Sequence, residues 1–380
     1  MASQPTTSDR FAAGFVFEKD AILFNNAGVA PMCTVAETAV QQVCLSLTKG
    51  WFALGQAFAL YEKSRGLFAR LVCAKPEDVA FFQTCAAAIS QVALGLPLRP
   101  GDEIVTVDQE YPSNAYPWHV AARRAGASVR TVSSDADFSL PTARVCEAIG
   151  PQTRVVAVSW VQFQTGAVLD LRQISRVCRS RGAWLVVDAI QGLGVLPFDL
   201  TALGVDAVCG GSHKWLCGPL GLGFLALAPG RASQLAPLLH GAMTYGTPDD
   251  MVDPAREPKP DARRFEPGSP LLLPGVATAA CVERALTFGI DTLHHAALAQ
   301  ADQLIVGLRA RGAHLLLPRG TALRCPIVTF VPTGSVDGLA ARLAAHKIAF
   351  ARRAGGIRLS PHAFNSTTDV EHFFSIFDAT

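Results

Sequence analysis

The stretch VVDAIQGLGVLPFDLTALGVDAVCGGSHKWLCGPLGLGFL (186–225) decides the reading of this chain. It opens on an apolar run that stops at an acid, Asp188. A second apolar run, DAVCGGSH (206–213), ends directly before Lys214, and LGFLALA (222–228) follows. Continuous apolar runs that end abruptly in polar residues mark strands buried on both faces, and ligands of such sheets sit outside the carboxyl ends of the strands. Asp188 and Lys214 each close one of these runs, so both are expected at that edge.

The same alternation extends upstream. DVAFFQ (78–83) leads into a small-residue helix from Cys85 to Leu96, and EIVTVD (103–108) into a helix near Asn114–Ala125. VRTVS precedes a helix from about Pro141. RVVAVSWV (154–161) precedes one near Leu171–Arg181, and WLVVDAI (184–190) comes next. Strands alternating with helices predict an α/β domain with a mostly parallel sheet covered on both faces. Downstream the character changes. Residues 241–270 are rich in Pro, Asp and Arg and read as an irregular, mobile surface segment. A long helical region, about 274–311, has Asp291 as an N-cap and Leu293, Leu304 and Leu308 as a buried stripe. A strand (PIVTFVP), a helix (VDGLAARLAAH), a strand (GIRLSP) and a last helix (TTDVEHFFSIF) make a smaller α+β unit. The expected division is 1–265 for the N-terminal segment and large domain, and 266–380 for the small domain with its linking helix.

Bulk properties narrow the function. The chain has 380 residues, half of them hydrophobic, which suits two domains sharing a cleft. The net charge is +2 with both signs interspersed, which argues against nucleic acid or an anionic membrane surface as partner. MASQPTTSDRFAAGF lacks the pattern of a secretory signal, and no run of about 20 apolar residues predicts a membrane span. The ten cysteines are scattered, with no zinc spacing, so no metal site is expected and reduced thiols in the cytoplasm are. No GxGxxG follows the first strand of the alternating region, which disfavours a nicotinamide dehydrogenase.

Lys214 is one of only seven lysines and stands in an apolar, glycine-rich setting. Desolvation there lowers its pKa and frees a neutral amine to act as a nucleophile towards a carbonyl, as Schiff-base chemistry requires. A carboxylate ending a buried strand, Asp188, can hold the proton of a pyridinium ring and keep such a cofactor an electron sink. Either residue alone reads as a snorkelling lysine or a capping aspartate; together, with the glycines after Lys214, they favour cofactor chemistry.

On these residues the chain resembles the class V aminotransferases, a family that includes cysteine desulfurases and isopenicillin N epimerase-like enzymes. The matching pieces are Asp188-Ala189-Ile190-Gln191, Ser212-His213-Lys214-Trp215-Leu216, Gly218-Pro219 and Gly221. FNNAGVAP (24–31), EYPSNAYPW (110–118), SWVQFQTG (159–166), RRFEPGSP (263–270) and GGIRLSPHAFN (355–365) follow the family's order. The resemblance implies the fold type I of pyridoxal-5′-phosphate (PLP)-dependent transferases, with a large, mostly parallel seven-stranded-type sheet. It implies PLP as cofactor, an amino-acid-like substrate and a homodimer with shared active sites.

By the same resemblance, Lys214 is the Schiff-base lysine and the base at the substrate Cα, and Asp188 the pyridinium partner. Gln191 reaches the cofactor's phenolic oxygen, and Tyr111 lies on its ring face. The turn of Thr84, Cys85 and Ala86 holds the phosphate through backbone amides at a helix start, helped by His213 and by Ser212 or Gly211. Gly268 and Ser269 reach the phosphate of the partner subunit. Either Gln162 or Gln164 takes the place of an asparagine that touches the ring, and Gln164 enters the candidate set. Arg358 forks onto the substrate carboxylate, a contact lysine would not reproduce; Arg353 is a second candidate, and Asn26 and Gly28 line the entrance.

One departure matters. IAFARRAGGIR (348–358) has no cysteine where desulfurases carry their nucleophile, so persulfide formation would need Cys325 or another thiol. The implied reaction is transformation of an amino acid or amine through an external aldimine, nominally transamination. C–S β-elimination and epimerisation are the alternatives, and epimerisation would need a second acid, with Tyr116 or His362 as candidates. A PLP-binding regulator is disfavoured by the lack of a helix-turn-helix domain.

Overall fold

The structure is a computed structural model that describes residues 6–50, 54–246, 253, 255–317 and 323–379. Its strands in chain order are Ile22–Leu23 (β1), Val79–Phe82 (β2), Glu103–Val107 (β3), Ser128–Val132 (β4), Thr153–Ser159 (β5), Trp184–Asp188 (β6), Ala207–Gly211 (β7) and Gly223–Leu227 (β8). His314–Leu315 (β9), Val328–Val331 (β10), Ile348–Ala349 (β11), Ala351–Arg353 (β12) and Gly356–Leu359 (β13) follow.

Seven strands form the large sheet in the order β2-β8-β7-β6-β5-β3-β4. Only β8 runs against the others: it is antiparallel to both neighbours, while β7, β6, β5, β3 and β4 pair in parallel. The expected mostly parallel sheet is therefore present. Its centre is made of β-branched residues that lose all contact with water. Val155, Val156, Val158, Val186 and Val187 are each at most 1% exposed, and burial stabilises each by roughly 1.5–3 kcal/mol. Helices cover both faces, so the polar residues after β2, β3, β6 and β7 have one place to go, the carboxyl edge.

The smaller unit is an antiparallel sheet, β12-β13-β10-β9, with the helices Ile290–Ala310, Val336–Ala345 and Thr367–Asp378 on its core. The N-terminal segment joins it: β1 pairs in parallel with β11, and Phe24 packs among its core residues.

Three expectations change. The helical region near 274–311 is two helices, Leu272–Phe288 and Ile290–Ala310, meeting at Gly289 with φ of +85°. Asp291 is not the N-cap. Gly289 is, and Asp291 sits in the first turn, where a carboxylate still complements the helix dipole. The segment 241–270 is not wholly irregular surface. Residues 247–252 and 254 lie outside the described residues, but Ala262 and Phe265 are buried in the core. Glu266 pairs with buried Arg65 at 2.7 Å and accepts from the Phe81 amide at 2.7 Å. The long helices Thr34–Leu47 and Leu54–Val72, packed on Leu272–Phe288, were not anticipated from the sequence pattern.

Candidate active site

A cavity of about 430 Å³ opens at the carboxyl edge of the large sheet. Strand β6 delivers Asp188 to it and the turn after β7 delivers Lys214. Asp188 Oδ1 accepts from the Ile190 amide at 2.9 Å and from the Cys85 thiol at 3.5 Å. No protein donor reaches Oδ2 among the described residues, which leaves that oxygen for a ligand. Burial raises the Asp188 pKa, opposed by these donors and by Lys214. A cationic ring nitrogen would return it to the ionised form.

Burial pushes the Lys214 pKa down to about 8, and the charges of Arg358 and Arg353 add to that; Asp188 and Cys85 oppose it. Lys214 Nζ lies 5.8 Å from the centroid of the Tyr111 ring. Tyr111 is the N-cap residue of the helix Pro112–Ala125, and its ring meets Phe163 edge-on at 5.3 Å. The segment that carries it is fixed by a buried acid not singled out from the sequence, Glu110. Its carboxylate accepts from the Ser159 amide (2.6 Å), the Ser159 hydroxyl (2.5 Å) and the Asn114 amide group (2.8 Å). Burial raises its pKa to about 7. Ser159 in turn pairs with Asp188 in the strand register.

Thr84 caps the 11-residue helix Cys85–Gly95, its hydroxyl oxygen accepting from the Ala87 amide at 3.0 Å. The first amides of that helix have no intrahelical partner and open towards the cavity, which Thr84, Cys85 and Ala86 line. A Cβ on Gly223 would lie 2.2 Å from the Thr84 carbonyl carbon, so the start of β8 must be glycine for this turn to seat. His213 lines the same space, its pKa lowered by burial and then by Lys214.

Gly28, Gln191, Arg353 and Arg358 complete the sequence-predicted residues that share the cavity. Gln191 donates to Ala27 O at 2.9 Å and accepts from the Trp215 indole at 3.1 Å, keeping one N–H of its amide unassigned. Arg358 is 1% exposed; it donates to Phe163 O at 2.7 Å and to Asn25 Oδ1 at 3.3 Å.

Other predicted residues lie elsewhere. Asn26 is fully buried and ties the chain by donating to Leu23 O and Ser360 O, at 2.9 and 2.8 Å. Asn25 holds Arg358 instead. Ser212 directs its hydroxyl at Pro219 O and Leu222 O, shaping the turn before Lys214. Gln164 does not line the cavity; its backbone carbonyl accepts from the Thr329 hydroxyl. Gln162 is fully buried, donates to Ser159 O at 3.3 Å and leaves Oε1 without a partner. Gly268 and Ser269 border a second cavity, beside Gln83 and, on the helix Cys85–Gly95, Ala87. Phe163, between the two glutamines, is the member of that loop that lines the cavity, and as an aromatic it carries no polar group that would mark it in the sequence.

His362 is buried against the Phe11 and Phe364 rings, with Nε2 at 3.0 Å from Trp215 O and Nδ1 accepting from the Ala363 amide. Burial pushes its pKa down to about 4. Tyr116 is 70% exposed, and neither residue lines the cavity. The Cys325 thiol is buried and directed at Gln191 O at 3.6 Å, with its pKa raised by burial. No metal-ligating cluster occurs among the described residues, and no helix among them is long and apolar enough to cross a membrane.

These donors fit PLP. A strand-end carboxylate has one free oxygen, a partly buried lysine can be neutral near pH 8, an aromatic ring lies over its nitrogen, and a helix start offers free amides. The comparisons agree. The chain is 34% identical over 241 residues to isopenicillin N epimerase of Streptomyces clavuligerus, a match spanning 60% of this chain and 59% of that protein's length. It is 27% identical over 334 residues to a probable cysteine desulfurase of Pyrococcus abyssi, covering 84% of this chain and 82% of that one. Its fold matches the apo structure of the cysteine desulfurase of Thermococcus onnurineus NA1 with a TM-score of 0.91 and 24% identity, over 100% of this chain and 98% of that one. The family model described as aminotransferase class-V matches residues 42–372. On that match, and with the large mostly parallel sheet that fold type I requires, this chain belongs to the class V aminotransferase family of PLP-dependent enzymes.

Proposed function

We propose that the protein transforms an α-amino acid by proton transfer at Cα, with transamination as its nominal reaction. The observation that carries this reading is the cavity shared by Lys214 and Asp188, which Tyr116 and His362, the two candidates for the second acid that epimerisation needs, do not line. PLP, when bound, supplies an aldehyde to capture the amine and a protonated ring that draws electrons from Cα. Asp188 Oδ2 would hold the ring proton. Lys214 Nζ takes the Cα proton and returns it, a task suited to an amine whose pKa is pushed to about 8. Arg358 grips the α-carboxylate and so turns the Cα–H bond towards Lys214. Tyr111 would cover the ring face, and the amides of Cys85 and Ala86 with His213 would hold the phosphate.

The cysteine desulfurase reading is less well supported. Residues 348–358 carry no cysteine, Cys325 is buried against a backbone carbonyl, and Cys85 is engaged with Asp188.

The oligomer is proposed as a homodimer with shared active sites. Support comes from apolar side chains left exposed near the cavities, among them Val29 (57%) and Leu239 (66%), and from Gly268 and Ser269 bordering a second opening. The ten free cysteines are in keeping with a reducing compartment such as the cytoplasm.

A screen of amino acids with and without an α-keto acid acceptor tests the reaction. Keto acid formed only with the acceptor present is the expected result. Pyruvate and a thiol formed without acceptor would replace transamination by β-elimination, and interconversion of enantiomers would replace it by epimerisation.

A further inference from the structure

The hairpin β12–β13 carries two arginines on one face. Its register sets Ala351 opposite Arg358 and Arg353 opposite Gly356. Side chains alternate along a strand, so Arg353 and Arg358 share a face and are diagonal neighbours, a separation of about 7–8 Å in such pairs. Gly356 places no side chain between them. Arg352 lies on the opposite face and forms an ion pair with Asp337. Among the described residues its two neighbours on the cavity face have none.

Among the described residues, Arg353 and Arg358 meet only neutral acceptors: Arg352 O at 2.7 Å for Arg353, and Phe163 O and Asn25 Oδ1 for Arg358. The Nε atoms of both are buried without a partner. Arg353 lies over the Phe163 ring, 5.9 Å from its centroid, and that residue's carbonyl holds Arg358, so Phe163 braces both guanidiniums. Burial and the charge of Arg353 push the Arg358 pKa down to about 10, a sign of unneutralised positive charge. Both side chains line the cavity that contains Lys214. Two like charges facing one another in a low-dielectric site stay costly until anions arrive.

We propose that the substrate carries two anionic groups, its α-carboxylate on Arg358 and a side-chain oxyanion on Arg353, which makes it a dicarboxylic amino acid or an amino acid ending in a comparable oxyanion. This rests on the amino-acid-transforming reading and adds the substrate class. One carboxylate neutralises one guanidinium and leaves the other exposed to its like; two satisfy both, each in the forked geometry that arginine provides.

Calorimetric titration of the purified holo-protein with glutarate and with butyrate tests the pair without turnover. Glutarate is expected to bind about 30-fold or more tighter than butyrate, the scale of one buried charge-assisted contact. In Arg353→Gln that ratio falls close to one. Arg353→Lys restores part of it, and Arg352→Gln, on the other face, keeps it whole. Equal affinity for the two acids in the wild type, or an undiminished ratio in Arg353→Gln, overturns the proposal. The cofactor absorbance of the same sample reports separately on Lys214. A sample with the band and no glutarate preference fails this inference alone, and one without the band fails the amino-acid reading while the titration still judges the arginine pair.

Discussion

The Cys85 thiol lies 3.5 Å from Asp188 Oδ1 and donates to it, from the first residue of the helix whose amides would hold a phosphate. One residue thus links the two ends of the cofactor site. The thiol lowers the proton affinity of Asp188 against the burial that raises it. Cys85→Ala is expected to weaken turnover by about 2- to 10-fold, the scale of one neutral hydrogen bond. Asp188→Asn removes the charge but keeps the shape, and is expected to reduce kcat by about 10²–10³-fold. Steady-state kinetics on the two variants, with bound cofactor measured by absorbance, checks this. Cys85→Ala proving as damaging as Asp188→Asn would show the thiol to have a larger task.

Arg358→Lys keeps the charge and loses the fork. Arg358 holds Phe163 O and Asn25 Oδ1 while it faces the cavity, and a single ammonium cannot keep both and still grip a carboxylate in two places. The expected loss is about 10²-fold in kcat/KM, with cofactor binding unchanged. Kinetics within threefold of wild type would place the substrate carboxylate elsewhere.

His362 gives the fold an acid limit. Its pKa is about 4 in the folded chain against an ordinary 6.5, because burial disfavours the charged ring. The unfolded chain therefore binds the extra proton first. The stability is fully present above about pH 6.5 and is lost as pH falls towards 4, by on the order of 3 kcal/mol across that window. Urea unfolding of the cofactor-free protein between pH 4 and 7 checks it. Glu110, with its pKa raised to about 7, acts in the opposite direction over much of this window, so the check is the difference between two proteins: the stability advantage of wild type over His362→Gln should shrink as pH falls from about 6.5 towards 4.

Much of the site could be read from the sequence because its parts end strands. Asp188, Lys214 and the Thr84 turn each follow an apolar run, and a mostly parallel sheet brings such ends together whatever the intervening loops do. Arg358 was identifiable through the motif around it. The failures are one-residue phase errors and long-range pairings. The sequence suggests Asn26 for the entrance, but β1 pairs with β11 more than 300 residues away, and Asn26 turns inward to Ser360 while Asn25 meets Arg358. Nothing local to FNNAGVAP encodes that phase. Phe163 is hard to single out because an aromatic between two glutamines looks like packing. Glu110 escapes a local reading because Ser159 meets it only once β3 and β5 are side by side, while Asn114, four residues on, joins it from the next helix. The end of the 241–270 segment looked mobile from its prolines and charges, yet Glu266 is held by Arg65, distant in sequence.

The identity of the amine that binds PLP is tested most directly by reduction with borohydride, followed by proteolysis and mass mapping of the pyridoxyl group. Lys214, its pKa pushed down to about 8, is among the described residues the one lysine that shares this cavity with Asp188. The label is expected on Lys214 alone, and the visible band and the label should both be lost in Lys214→Ala. A label on any of the other six lysines, or a band that survives Lys214→Ala, would contradict the account.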